Sequence, residues 1–271
     1  MITLTCISEN SVKFGTHCWG EHGLSIFIEL PDFSFFMDTG ASAEVLRHNL
    51  SVIKPDLRNT KAIVLSHGHF DHTNGLEELI KMLPDLQVYA HPDIFSEHYA
   101  YSGEKYRYIG VQFERADVEK LCKLNLSTGA VEIAHGVYFS GEIPRHTKIS
   151  SKFYLKTELG FVADGIVDDA AVYLKTERGT VVIFGCGHAG VINTLKHARA
   201  VTGQKIRGVV GGTHLITASP QELDEVAGFL HAEDVEFLRL AHCTGKKATY
   251  RFNAEFREKF DVMSAGDVFS I

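Results

Sequence analysis

The chain has 271 residues, of which 45% are hydrophobic and 23% charged, and a formal net charge of −7. This composition excludes a disordered or fibrous chain, and the acidic balance offers no field for a phosphate backbone, so nucleic acid is not an expected partner. No window is apolar over the roughly 20 residues that a bilayer requires, so no membrane partner is expected either.

Alternating apolar residues predict strands near 2–8, 24–30 and 33–37, with Leu24, Ile26 and Ile28 on one face. A helix is expected near 42–49. The run Ala62-Ile63-Val64-Leu65 is short, branched and apolar, the pattern of a strand covered on both faces. After a histidine-rich segment, Leu76, Leu79, Ile80 and Leu83 have helical spacing across 73–83, and Pro84 should end that helix. Residues 87–90 resume a strand.

From about 91 to 128 the rhythm breaks. Tyr99, Tyr101, Tyr106 and Tyr108 crowd this stretch and a helical pattern follows at 116–124, so it reads as an inserted Tyr-rich helical segment, either a lid over a site or an insertion packed on itself. Strands return near 131–140, 152–157, 171–175 and 180–185, the last two joined by a hairpin turn at Arg178-Gly179. Helix 189–201, strand 206–210, helix 220–230, strand 235–240, helix 246–258 and strand 267–270 then alternate. A single domain over 1–271, with two sheets back to back and helices outside, accounts for this order.

The start Met1-Ile2-Thr3-Leu4-Thr5 lacks the basic and apolar regions of a secretory signal. Cys6, Cys18, Cys122, Cys186 and Cys243 show no pairing rhythm, so reduced thiols and a cytoplasmic location are expected. Fifteen histidines make metal the first chemistry to test.

His67-x-His69-x-Asp71-His72 follows a buried strand and precedes a helix, a turn that can aim several side chains at one point. Imidazoles two apart on extended backbone point the same way and can share one ion, while Asp71 and His72 can serve a second. This HxHxDH segment, with the turn Asp38-Thr39-Gly40 before it, resembles the metallo-β-lactamase superfamily. The resemblance implies a four-layer αβ/βα sandwich with the metals at one edge, and gives Asp38 the task of orienting the ligand loop. The competing reading of Asp38 is an Asx-turn.

Further ligands are expected where strands end, at Gly185-Cys186-Gly187-His188 and Ala241-His242-Cys243, so His188 and His242 join His67, His69, Asp71 and His72 as metal ligands. Taken with Glu21-His22-Gly23-Leu24-Ser25 and Gly211-Gly212-Thr213-His214-Leu215, these segments are similar to a subfamily named for the dihydropterin-ribofuranosylaminobenzene-phosphate synthase of methanopterin biosynthesis. Glyoxalase-like members differ: they carry a histidine midway and a metal-bridging aspartate, where this chain offers only His146 and the Cys186/His188 pair. Asp168 and Asp169 could restore a carboxylate, although their setting reads as a solvated turn. Cys186 and Cys243 read as small packing residues beside better-placed histidines.

Asp71, His214, Glu21 and His22 are the catalytic candidates, the last three as substrate contacts. His17, His48, His91, His98, His135, His197 and His231 read as surface or core residues. The expected cofactor is one or two divalent ions, zinc ahead of manganese, iron or magnesium. The expected reaction is hydrolysis of a phosphate-bearing small molecule by a metal-activated water, because the helices starting after Gly190 and Thr244, with Lys246 and Lys247, favour anions. The synthase resemblance implies the alternative, a condensing transferase that releases pyrophosphate. A non-catalytic metal-binding protein is the third reading, and a homo-oligomer is compatible with all of them.

Overall fold

A computed structural model describes residues 1–83, 85–146 and 152–271; Pro84, the expected helix stop, lies outside them. The first half supplies β1 (Thr3–Ser8), β2 (Ser25–Glu29), β3 (Ser34–Met37), α1 (Ala43–Ile53), β4 (Thr60–Val64), α2 (Phe70–Thr73), α3 (Leu76–Met82), β5 (Gln87–Ala90), β6 (His98–Tyr101), β7 (Tyr106–Tyr108), α4 (Arg115–Leu121) and β8 (Lys123–Leu126). The second supplies β9 (Val131–Ala134), β10 (Val137–Phe139), β11 (Phe153–Thr157), β12 (Gly160–Ala163), β13 (Ala171–Thr176), β14 (Gly179–Phe184), α5 (Val191–Thr202), β15 (Ile206–Gly212), α6 (Pro220–Ala232), β16 (Phe237–Ala241), α7 (Gly245–Phe256), β17 (Phe260–Val262) and β18 (Val268–Ser270).

The described residues form two seven-stranded sheets, in the orders β18-β1-β2-β3-β4-β5-β8 and β17-β16-β15-β14-β13-β10-β9. Three apolar clusters separate four layers. Leu24, Ile26, Ile28, Phe35, Val172, Ile183 and Val210 fill the space between the sheets. Phe27, Phe36 and Ile63, whose side chains point the other way, meet Leu46 of α1, Leu79 of α3 and Val118 of α4. Tyr173 and Val182 meet Leu195 of α5, Val226 of α6 and Phe252 of α7. Both faces of each sheet are thus covered, which is why the central strands read as apolar runs. This is the four-layer αβ/βα sandwich.

Several local expectations need correction. The stretch 131–140 is two strands turning at Gly136, whose φ of 73° suits a residue without Cβ. Helix 73–83 begins only at Leu76, and the strands Gly160–Ala163 and Phe260–Val262 went unread. The Tyr-rich segment is not helical where its tyrosines lie. Tyr99 and Tyr101 sit on β6, Tyr106 and Tyr108 on β7, and the helix covers only Arg115–Leu121. Their spacing of two is a strand period that aromatic crowding concealed. The segment's end, β8, belongs to the first large sheet beside β5, while β6 and β7 join β11 and β12 in a four-stranded sheet ordered β12-β11-β6-β7.

Candidate metal centre

The histidine segment leaves β4 at Ser66. Asp38, just past the neighbouring β3, holds it: Oδ1 accepts from the Ser66 N–H at 2.7 Å, and Oδ2 accepts from the Ser66 hydroxyl and lies beside His72 Nδ1, both at 2.7 Å. Asp38 adopts φ 59°, a conformation that costs a non-glycine residue about 1–2 kcal/mol and persists only where contacts enforce it. Gly68, between two of the histidines, packs so closely that a Cβ would stand 2.2 Å from the Ile94 carbonyl. Its N–H donates to Asp168 Oδ2 at 2.7 Å.

His67, His69 and His188 converge in the interior. His67 Nε2 is 2.9 Å from His69 Nδ1, and the His188 ring lies 4.8 and 5.0 Å from theirs. Burial pushes all three imidazoles well below their usual pKa, so they are neutral and keep a lone pair to share. His188 Nε2 is buried with no hydrogen-bond partner, a costly arrangement unless something takes that lone pair. His69 Nε2 is orphaned in the same way, and three neutral imidazoles with two unpaired nitrogens suit a divalent cation.

Beside them, Asp71 Oδ2 lies 3.4 Å from His242 Nε2, 3.3 Å from His22 Nε2 and 3.8 Å from His72 Nε2. Burial opposes the Asp71 charge, but His72 and His242 outweigh it and hold the carboxyl below its ordinary range. Burial also opposes charge on His72, yet Asp38 and Asp71 raise it to about 9. His242, at φ 54°, is fixed by Glu9, whose Oε1 accepts its N–H at 2.7 Å, and by Asn10 Oδ1, 3.0 Å from its Nδ1.

The structure therefore gathers His67, His69, Asp71, His72, His188 and His242 at one edge, with His22 and His214 alongside. The His214 ring is 4.2 Å from that of His188, and its Nδ1 is buried without a partner. Glu21, expected as a substrate contact, is engaged at the start of α1, where its two oxygens accept from the Ala41 N–H at 2.9 Å and the Ser42 hydroxyl at 2.7 Å. Asp168 and Asp169 are buried rather than in a solvated turn; Asp169 accepts the Ala189 N–H at 2.8 Å, next to His188. Cys186 Sγ stands 3.2 Å from His72 Nε2, closer than a mere packing residue would need to be, and Cys243 Sγ accepts the His214 N–H at 3.2 Å. His146 is exposed and outside these clusters. Lys246 and Lys247 are exposed on the first turn of α7.

Residues that sequence reasoning missed complete the setting. His98, read as surface or core, has Nδ1 2.6 Å from Asp164 Oδ2 and Nε2 3.7 Å from Asp168. Its strand and β11 lie over the cluster, with the Phe153 ring 5.1 Å from His69 and 5.3 Å from His188. A cleft of about 450 Å³ opens beside His188 and His214, bounded by Gly190, Val191 and Ile192 at the start of α5, Thr213–Leu215, Lys152 and α6.

A sequence profile of the metallo-β-lactamase superfamily matches residues 19–194. The chain is 30% identical, over 98% of its length and 96% of the other's, to the 7,8-dihydropterin-6-methyl-4-(β-D-ribofuranosyl)-aminobenzene-5'-phosphate synthase of Methanocaldococcus jannaschii. An exodeoxyribonuclease, WalJ of Streptococcus pneumoniae, is 26% identical over 67% of this chain and 68% of that protein. The solved structure of a metal-dependent hydrolase of the β-lactamase superfamily, 25% identical, superposes with a TM-score of 0.87 over 100% of this chain and 99% of its own.

Proposed function

The chain belongs to the metallo-β-lactamase superfamily, and from that premise we propose that this enzyme hydrolyses a phosphate-bearing small molecule. One or two divalent ions, zinc by preference, are held by His67, His69 and His188 and by Asp71, His72 and His242. Bound there, such ions supply Lewis acidity toward a phosphoryl oxygen and lower the pKa of water.

The observation that carries the substrate class is the shared cleft. His188 and His214 line it together with the first turn of α5, which has no side-chain cap. The N–H groups of a helix's first turn lack intrahelical partners, and the helix dipole adds to their attraction for an anion. Val191 and Ile192 offer those groups to phosphate oxygens, with Lys152 adding a cation at the rim. Leu215, Ala218 and Val226 form an apolar wall for the organic part of the substrate. Glu222, on the same wall, is held by Ser219 in the cap of α6. The buried His214 Nδ1 is positioned to hydrogen-bond a substrate oxygen, while Asp38 and Asp169 keep the ligand turns in place.

Similarity to the synthase over nearly the whole chain favours a second reading, condensation with release of pyrophosphate. The α5 cradle serves that leaving group equally well, with a partner amine or aryl carbon attacking in place of water. The test is turnover of bis(p-nitrophenyl) phosphate by zinc-reconstituted protein, before and after chelation, beside release of pyrophosphate from a dihydropterin diphosphate that depends on an added arylamine partner. Chelator-sensitive phosphodiester turnover supports hydrolysis. Partner-dependent pyrophosphate release without it replaces the first reading with the second, and the absence of both activities refutes both.

A further inference from the structure

We propose that His22 is a ligand of the second cation, closing with Asp71 and His242 a site at the mouth of the centre. The inference rests on reading the clusters as metal sites, and changes His22 from a substrate contact into part of the metal-binding machinery.

Spacing carries the argument. His22 Nε2 and His242 Nε2 stand 3.3 and 3.4 Å from the same oxygen, Asp71 Oδ2, and the three donor atoms lie within 4.8 Å of one another. A charge-assisted N–H to carboxylate contact closes to about 2.7–2.9 Å. Donors on one tetrahedral ion, with bonds of about 2.0–2.2 Å, stand about 3.4 Å apart. Both separations match the second geometry. The His22 ring also stacks on His242, with centroids 5.1 Å apart and planes at 27°, so its nitrogen is directed toward Asp71 rather than swinging free.

The backbone beneath His22 is pinned on both sides, which an ordinary exposed loop would not require. Glu21 is tied to Ala41 and Ser42. Leu24 donates its N–H to the Asp71 carbonyl at 3.1 Å, and a Cβ on Gly23 would stand 2.7 Å from Ala41 N and 2.8 Å from that same carbonyl oxygen. The Glu21-His22-Gly23-Leu24 turn is thus built against the backbone of a metal-ligand candidate. The two sites differ in access: His67, His69 and His188 are buried, whereas the His22 side chain is 67% exposed. The site at the mouth should exchange its ion more readily.

The experiment is zinc titration against a chromophoric chelator, with bound metal counted by elemental analysis, on wild type, His22→Ala, His22→Gln and His69→Ala. Circular dichroism verifies that each is folded. The expected result is two equivalents in wild type, with the second weakened at least tenfold in both His22 variants while the first is kept, and loss of the first in His69→Ala. A second equivalent unchanged in both His22 variants overturns the proposal and leaves the metal reading intact, and a raised KM there would return His22 to substrate contact. Absence of any bound zinc in wild type would instead overturn the metal reading itself.

Discussion

Asp38 positions His72 directly and His67 through Ser66, because a single buried carboxylate accepts from Ser66 twice and meets His72, while the Ser66 hydroxyl lies 2.8 Å from His67 Nδ1. Asp38→Ala leaves those groups unpaired in the interior and should lower stability by about 3 kcal/mol or more in urea titration, with Asp38→Asn milder. His67→Ala and His242→Ala should lower metal content by elemental analysis without unfolding the chain, and Cys186→Ser should be much milder. Equal loss from the cysteine change would make the thiol beside His72 a ligand. Of this centre, the His67 to His72 cluster was legible because its members are adjacent in sequence. Glu9 could not be read as a partner of His242, nor Asp164 of His98, because those pairs are 233 and 66 residues apart and only the sheets bring them together.

The small four-stranded sheet acts at the level of elements. Pairing puts Tyr154 opposite Tyr99, Tyr101 opposite Tyr106, and Lys156 opposite Phe161, so the tyrosines share the face turned away from the cluster. Phe153, His98 and Ala100 occupy the other face, toward the histidines. The alternatives of lid and self-packed insertion therefore divide by face. Tyr106, whose ring stacks on Phe161 at 3.6 Å, should on replacement by alanine lower stability by about 1–2 kcal/mol and leave turnover of the folded protein unchanged. Phe153→Ala should raise KM or lower kcat with little change in melting temperature. Kinetic effects from Tyr106→Ala without a stability loss would mean the faces are assigned the wrong way round. Sequence periodicity could locate β6 and β7 only if the tyrosines were counted as strand residues, and it could not show which strands they would join.

For the whole molecule, alternation of strands and helices was enough to read the layers, since each apolar face needs a covering layer. Strand order was not legible: β18, the last strand, closes the first sheet against β1 through pairs such as Thr3 with Ser270. With three apolar clusters independent of the metal candidates, we expect one cooperative unfolding transition. Chelation should shift its midpoint downward without abolishing it, as calorimetry with and without EDTA can measure.

The candidate donors come from both halves of the sandwich: His67, His69, Asp71 and His72 follow β4 of one sheet, and His188 and His242 follow β14 and β16 of the other. A cation gripped from both sides is a gauge of how the two sheets sit against each other. A shift of a few tenths of an ångström, too small to change a circular dichroism spectrum, moves one set of donors against the other. Ile183→Ala or Val210→Ala, deep between the sheets and outside the set of candidate ligands, should therefore loosen metal binding measurably even in protein that is still fully folded, and the loss should grow with the space each change opens.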